Sequence, residues 1–190
     1  MCAIALVACS QKHENAFANI AFQQGDLVFR EGIGAKSEAV RYADSSSIYS
    51  HVGIIVLKDS VFQVVHITPG ERKADEKVDK IKMELIEEFW RSDRARHGAV
   101  YRLKDNRTGI DAAKQALRLL QKEIFFDHDY NLDDTTEMYC TEFVWYCYAQ
   151  TGTDISFEKR SVLNMPLYTG TYIFPSDIYR NSDFILIYNF

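Results

Sequence analysis

Two apolar segments rich in β-branched residues predict a β-hairpin in the first half of the chain. Ser50 to Leu57 and Val61 to Thr68 each have the length and composition of a strand. Lys58, Asp59 and Ser60 separate them and have the character of a tight turn. The simplest connection is a turn made by Asp59 and Ser60 alone, which sets the pairing of every residue on the two strands.

This pairing brings two histidines together. With the two-residue turn, Gly53 lies opposite His66, and His51 is a diagonal neighbour of His66 on the same face, with backbones roughly 7 to 8 Å apart. A three-residue turn would place the two side chains on opposite faces. Gly53 would leave space for two imidazole rings to meet. A single histidine is more often a half-buried polar residue than a functional one, so the pair carries the functional signal.

A pattern of helical period surrounds Cys140. The positions three, four, seven and eight residues later form an apolar stripe: Phe143, Val144, Cys147 and Tyr148. Asp134 and Glu137 have the spacing of a capping box, which predicts a helix start there and places Cys140 in the first or second turn. Unpaired N–H groups and the helix dipole favour a thiolate at this end, so we expect a lowered pKa for Cys140. A small core residue is the alternative.

Weaker patterns predict the remaining elements. We expect a strand after Gly25, a short helix at Ser37 to Ala43, a solvated charged loop at Glu71 to Asp79, an amphipathic helix at Met83 to Trp90, a strand at Ala99 to Leu103, a helix at Gly109 to Lys122 with Ile110, Ala113, Leu117 and Leu120 on its apolar face, an irregular segment at Asp154 to Gly170, a helical turn at Pro175 to Ile178 and a final strand at Phe184 to Tyr188. His97 and His128 stand among charged residues, which predicts surface positions. The fold class is α+β.

Composition narrows the function classes. The 190 residues are 47% hydrophobic and 26% charged, which fits one globular domain with a sizeable core. The net charge of -5 gives no basic footprint, so nucleic acid is not an expected partner. The sequence also has no apolar run long enough to span a bilayer. Its oligomeric state stays open.

The first residues resemble a bacterial lipoprotein signal. Leu6-Val7-Ala8-Cys9 is similar to a lipobox, which would make Cys9 the lipidated residue of a protein anchored in the cell envelope. We therefore expect residues 1–20 to be signal and tether, and residues 21–190 to form the domain. The apolar stretch is short and has no preceding Lys or Arg. If the resemblance is accidental, the protein is expected in the cytoplasm.

Cysteine spacing argues against a disulfide at Cys140. On a helix, Cys140 and Cys147 would be roughly 10 Å apart, which is too far for a disulfide. The other two cysteines, Cys2 and Cys9, lie in the expected signal. Cys140 is therefore expected to be a free thiol.

Five short motifs in a fixed order carry a family resemblance, which covers the chain from about Gly25 to Tyr179. They are Gly25-Asp26-Leu27-Val28-Phe29, Tyr49-Ser50-His51-Val52-Gly53-Ile54, Phe126-Asp127 with Tyr130, Tyr139-Cys140-Thr141-Glu142-Phe143-Val144 and Pro175-Ser176-Asp177-Ile178. Together they resemble the YiiX-type branch of the permuted NlpC-like cysteine hydrolases. The resemblance implies a circularly permuted papain-like fold, an antiparallel sheet with the nucleophile-bearing helix packed against it, and no cofactor.

The resemblance also implies roles for three residues. Cys140 would be the nucleophile and His51 the general base. His66 falls at the third polar position, where we expect many relatives to have a carboxylate. The expected chemistry is hydrolysis of an amide, in a cell-wall peptide or an N-acyl compound, through a thioester. The backbone N–H of Cys140 would stabilise the oxyanion.

Candidate substrate contacts and two other functions remain open at this point. Tyr49 and Tyr139 adjoin the expected catalytic residues, and Glu142 could bind substrate, although a structural role for Glu142 is the stronger expectation. The first alternative function is an acyltransferase or lipid hydrolase that uses the same thioester. The second is a non-catalytic envelope lipoprotein or a metal site, because two histidines and a cysteine are also zinc ligands.

Overall fold

A computed structural model describes residues 17, 19–45, 47–72, 76–156, 160–165 and 168–190. Its strands are β1 Leu27–Gly32, β2 His51–Lys58, β3 Val61–His66, β4 Lys82–Leu85, β5 Ala95–Leu103, β6 Phe125–Phe126, β7 Glu137–Met138, β8 Ser161–Met165, β9 Tyr168–Tyr172 and β10 Phe184–Asn189. Its helices are α1 Ala35–Ala43, α2 Ile86–Phe89, α3 Asn106–Leu120, α4 Cys140–Ala149 and α5 Pro175–Tyr179.

Six strands form one antiparallel sheet in the order β10-β5-β1-β2-β3-β4. Strand β2 is near the centre, and its first six residues are buried. Because successive side chains of a strand alternate between the two faces, β2 directs Val52, Ile54 and Val56 to one apolar cluster and Ile55 to another. The sheet is therefore covered on both faces.

The larger cluster lies between the sheet and the helices α3 and α4. The buried face of α3 consists mainly of small residues: Gly109, Ala112, Ala113 and Ala116, with Leu119. Small side chains allow close packing, and a Cβ atom added to Gly25 would lie 2.2 Å from the backbone of Gly109. Gly25 also has a φ of 88°, so both its conformation and its packing require glycine.

The second face is covered by α2 and by aromatic side chains. Trp90 is buried there, and its indole N–H donates to the carbonyl of Phe29 at 3.0 Å. Phe17 packs against Trp90 with ring centroids 5.0 Å apart. Phe17 lies within the segment that we expected to be a tether, so core packing begins closer to the N-terminus than residue 21. The lipobox-like residues lie outside the described residues.

The hairpin forms as predicted. Lys58 pairs with Val61, and the pairing continues to Ile54 with Val65. Asp59 and Ser60 make the turn with positive φ angles of 51° and 64°, as a type I′ turn requires. The predicted register, on which the placement of both histidines depended, is confirmed.

Two predictions about elements were wrong, and a third was right in part. Met83 to Trp90 is not one helix, since the first residues form β4, which pairs with β3, and only Ile86–Phe89 is helical. Asp154 to Gly170 is not irregular throughout, because it includes β8 and the start of the β9 strand that pairs with it. The predicted apolar face of α3 is right for Ala113, which is buried, and for Leu117 and Leu120, which pack against the core. It differs at Ile110, which is only partly buried, and it omits the fully buried Ala112 and Ala116.

The nucleophile helix also begins later than predicted. The carboxylate of Asp134 accepts hydrogen bonds from the N–H and hydroxyl of Thr136, in a turn before the helix. Helix α4 begins at Cys140, where the Glu142 carboxyl group accepts the Tyr139 N–H at 3.2 Å. This is the reciprocal half of a capping box. Cys140 is therefore the first residue of the helix.

The shorter predicted elements agree with the structure. The short helix after Gly34 and the helical turn at Pro175 are present, and His97 and His128 are exposed. Within the described part of the chain, no helix combines the length and the apolar character needed to cross a membrane.

Candidate active site

His51 and His66 form a direct contact on the second face of the sheet. Nε2 of His51 lies 2.8 Å from Nδ1 of His66, and both side chains are buried. Gly53 makes this contact possible, since an added Cβ atom would lie 3.0 Å from Cβ of His66 and 2.4 Å from a methyl group of Val64. Phe89 of α2 stacks on the His51 ring and meets the His66 ring edge-on, with centroids 5.5 and 5.1 Å apart.

Cys140 approaches the same end of the sheet from the helix side. The Cys140 sulfur lies close enough to the backbone N–H groups of Val52 and Thr141 for both to affect the pKa of the thiol. Val52 follows His51 directly, so Cys140 lies beside the start of β2. Cys140 and His51 line one cavity of about 430 Å³.

The pKa of Cys140 is not lowered as we expected. Burial raises the pKa of the thiol to about 11, although the N–H groups of Val52 and Thr141 and the charge of Arg30 act in the opposite direction. The expectation considered only the helix terminus. It omitted the removal of the sulfur from water, which disfavours the thiolate. The thiol is therefore protonated in the resting protein.

Both histidines are also uncharged at neutral pH. Burial and the neighbouring charge of Arg30 hold the pKa of His51 well below its usual value. Burial lowers the pKa of His66 to about 4, against the stabilising effect of the carboxylate of Glu84. The resting site therefore contains a neutral thiol and two neutral imidazoles.

Sequence reasoning missed Glu84. Its Oε1 lies 3.0 Å from Nε2 of His66, on the side of the ring away from His51. Burial opposes ionisation of this carboxyl, but the hydrogen bond from His66 and the charges of Lys82 and Arg94 outweigh it and lower the pKa of Glu84. The helix predicted at Met83 to Trp90 concealed this role. The available signal was the alternation of polar and apolar residues along Lys82-Met83-Glu84-Leu85, which is typical of a strand.

A second carboxylate in this network was also missed. Glu71, in the loop that we predicted to be solvated, forms ion pairs with the buried Arg30 and, at 3.3 Å, with Lys82. Arg30 is the cross-strand partner of His51, and its guanidinium lies 4.7 Å from the centroid of the Phe89 ring. Ion-paired side chains and the Phe89 ring therefore surround the histidine pair.

The three candidate substrate contacts have different positions. Tyr139 lines the cavity, and its hydroxyl accepts the Ile173 N–H at 2.9 Å. Tyr49 packs between the rings of Phe29 and Tyr179 and is not a lining residue. Glu142 is buried at the helix cap and does not line the cavity. Of the three, Tyr139 is the one that lines the cavity.

Charged side chains of both signs and aromatic rings line the rest of the cavity. The charged lining residues are Arg30, Lys36, Glu71, Asp93 and Arg94, and the aromatic ones are Phe126, Tyr130, Tyr139, Tyr172 and Phe174. Helix α1 forms one wall, although none of its residues is buried. The cavity can therefore accept a molecule with both polar and apolar parts.

The donor geometry does not suit a zinc ion. Two histidine nitrogens on a tetrahedral zinc would be roughly 3.3 Å apart and would both point at the metal. Here His51 and His66 point at each other at 2.8 Å, and the other nitrogen of His66 faces Glu84. Among the described residues, no group of three or more His, Cys, Asp or Glu side chains is arranged to hold a metal.

A thiol at the start of a helix, in one cavity with a histidine from a strand that precedes it in the chain, is the arrangement of a permuted papain-like cysteine hydrolase. The chain belongs to the family of permuted papain-like amidases described as YaeF/YiiX, peptidase family C92, which matches residues 21–173. The circularly permuted papain-like fold predicted from the motifs is confirmed, as is the assignment to the cysteine peptidases and amidases.

A solved structure supports the fold independently. It is the crystal structure of a protein described as the metalloprotein YiiX from Escherichia coli O157:H7. The two chains are 19% identical, the match covers 87% of this chain and 96% of the other, and the TM-score is 0.69. No curated protein matches the sequence.

Proposed function

We propose that the protein hydrolyses an amide bond, in a cell-wall peptide or an N-acyl compound, through Cys140, His51 and His66. The observation that carries the proposal is that Cys140 and His51 line one cavity, with His66 in contact with His51 behind it. Membership of an amidase family supports the reaction class.

The neutral resting site determines how the reaction begins. His51 takes the proton of the Cys140 thiol as the sulfur attacks the substrate carbonyl, so that the thiolate need not exist beforehand. The carbonyl oxygen becomes an oxyanion and accepts a hydrogen bond from the backbone N–H of Cys140 at the helix start. His66 holds the His51 ring through their contact at 2.8 Å.

The second half of the reaction restores the site. The imidazolium of His51 gives its proton to the leaving nitrogen, the C–N bond breaks, and a thioester remains on Cys140. His51 then takes a proton from water, whose oxygen attacks the thioester. The carboxylic acid leaves, and the sulfur recovers the proton from His51. An amine or alcohol in place of water would make the protein a transferase.

Cys140→Ala tests this proposal. We expect the wild-type protein to release amine from members of a panel of N-acyl amides and wall peptides and to form an acyl adduct that mass spectrometry can detect. Cys140→Ala should abolish both. Cys147→Ala is the matched control, because Cys147 is a buried cysteine on the same helix that does not line the cavity. Full activity of Cys140→Ala would exclude a cysteine nucleophile. Product analysis with added amine separates hydrolysis from transfer.

We also propose that the protein is attached to the bacterial envelope through a lipidated Cys9, as the lipobox-like sequence suggests. The expected setting is the periplasm, where wall peptides and N-acyl compounds are available as substrates. Incorporation of labelled palmitate by the wild type and by Cys9→Ser tests this. Equal incorporation by the two proteins would contradict it.

A further inference from the structure

A line of close polar contacts leads from the cavity to β4. Nε2 of His51 meets Nδ1 of His66 at 2.8 Å, and Nε2 of His66 meets Oε1 of Glu84 at 3.0 Å. His51 therefore contributes one ring nitrogen, Nε2, to this line, and His66 contributes both of its ring nitrogens. Nδ1 of His51 is the ring nitrogen outside it.

The charge state of Glu84 determines which nitrogen atoms along this line carry protons. Lys82 and Arg94 contact Oε2 of Glu84 at 3.2 and 3.1 Å and hold the group as a carboxylate. A carboxylate can only accept hydrogen bonds. His66 must then carry its single proton on Nε2, which leaves its Nδ1 as an acceptor.

The same reasoning continues to His51. Because Nδ1 of His66 is an acceptor, the neutral His51 must carry its proton on Nε2 to complete the contact. Nδ1 of His51 is then unprotonated. A general base needs an unprotonated nitrogen, so this is the form in which His51 can take the thiol proton.

We propose that Glu84 is a positioning residue whose carboxylate fixes the tautomer of His66 and, through His66, the tautomer of His51. The inference rests on the proposed function, in which His51 is the base. Glu84 is not among the residues that line the cavity. It acts on the reaction only through the two imidazoles, as outer carboxylates do at other histidine sites.

Glu84→Gln tests the direction of the line. In this variant the amide oxygen is expected to face Lys82 and Arg94, and the amide NH₂ to face His66. The NH₂ group donates to Nε2 of His66, which moves the His66 proton to Nδ1 and the His51 proton to its own Nδ1. We expect kcat/KM to fall by at least about 100-fold. Glu84→Asp keeps the charge and should recover part of the loss.

The tautomers of His51 and His66 distinguish a positioning role of Glu84 from a purely structural one, because a purely structural role would leave them unchanged. Ring ¹⁵N chemical shifts should show both histidines protonated on Nε2 in the wild type, and on Nδ1 in Glu84→Gln. Glu71→Gln is the matched control, because it removes the same charge from the same ion-pair network but leaves the Glu84 carboxylate on His66. It should keep the Nε2 tautomers.

Two results would overturn the inference. One is a wild-type His66 protonated on Nδ1, a measurement that needs no variant and is therefore independent of whether Glu84→Gln folds. The other is Glu84→Gln with unchanged tautomers and unchanged kcat/KM. Failure of the proposed function has a different signature, full activity of Cys140→Ala, and leaves the tautomer measurement intact.

Discussion

Cys140 combines two opposing influences on a thiol. A helix N-terminus stabilises the thiolate, whereas burial in the protein favours the neutral form. Burial is the larger effect here and raises the pKa of Cys140 to about 11. The neutral His51, which lines the same cavity, adds no positive charge. In the proposed mechanism, proton transfer to His51 and attack on the carbonyl therefore belong to one step.

Alkylation by iodoacetamide measures this directly. At pH 7, a thiol with a pKa of about 11 is ionised in roughly one molecule in 10⁴. We expect slow labelling of Cys140 that rises about tenfold for each pH unit up to pH 9, with site assignment by mass spectrometry. Cys147, whose pKa burial raises further and which is fully enclosed, should label only on unfolding. A plateau below pH 7 would reveal a preformed thiolate and imidazolium pair.

The β2–β3 hairpin is the element that assembles the histidine pair of the proposed site. Its two-residue turn fixes the register, the register places His51 and His66 on one face, and Gly53 gives their rings room. These relations connect residues at most fifteen positions apart, so local pattern was sufficient to predict them. The histidine pair therefore follows from the amino-acid sequence alone.

Gly53→Ala tests the role of that space. The new methyl group would lie 2.4 Å from Val64 and 3.0 Å from His66, so one of these side chains must move. We expect a loss of about 1 to 3 kcal/mol in the free energy of unfolding and a lower kcat, because the His51–His66 contact is displaced. Gly170→Ala on β9 is the control, since its Cβ would meet its nearest neighbour at an ordinary 3.4 Å. Unchanged kcat in Gly53→Ala would contradict this account.

The elements that the sequence did not predict depend on partners far along the chain. The sequence of β4 is compatible with a helix as well as with a strand. Only its pairing with β3 makes Glu84 face His66. Glu71 is charged and follows a Pro-Gly turn, which indicates a solvated loop. Its ion pair with Arg30 spans 41 residues. Burial of Cys140, and with it the pKa of the thiol, likewise depends on the whole packed core.

For the whole molecule, buried titratable groups determine how stability depends on pH. His66 has a pKa of about 4 in the folded protein, but about 6.5 when unfolded. Between these values the unfolded chain binds a proton that the folded protein does not, so stability falls as the pH falls from 6.5 to 4. The lowered pKa of His51 acts in the same direction. Each contributes up to about 1.4 kcal/mol per pH unit.

Glu142 acts in the opposite direction at higher pH. Burial raises the pKa of Glu142 to about 8, and the nearby Asp127 and Asp134 contribute to the increase. Between pH 4.5 and 8 the folded protein holds a proton that the unfolded chain has released, so stability falls as the pH rises. Above pH 6.5 the histidine effect has ended. We therefore expect maximum stability near pH 6.5.

Urea denaturation from pH 4.5 to 8.5 measures this profile. The Glu142→Gln variant should lose the decline between pH 6.5 and 8 while keeping the decline on the acid side, because its amide still accepts the Tyr139 N–H. If the two proteins keep a constant difference across that range, Glu142 is already ionised in the native state.

The packing of Phe17 against Phe190 brings distant parts of the chain together. Their ring centroids are 5.8 Å apart, and both rings rest on Trp90. A short linker can therefore join these residues without disturbing the sheet. If the chain is then opened in the exposed turn between Asp133 and Asp134, the nucleophile helix comes first and the histidine strands follow. The elements that form the pocket would then follow one another along the chain in the order of papain-like enzymes that are not permuted.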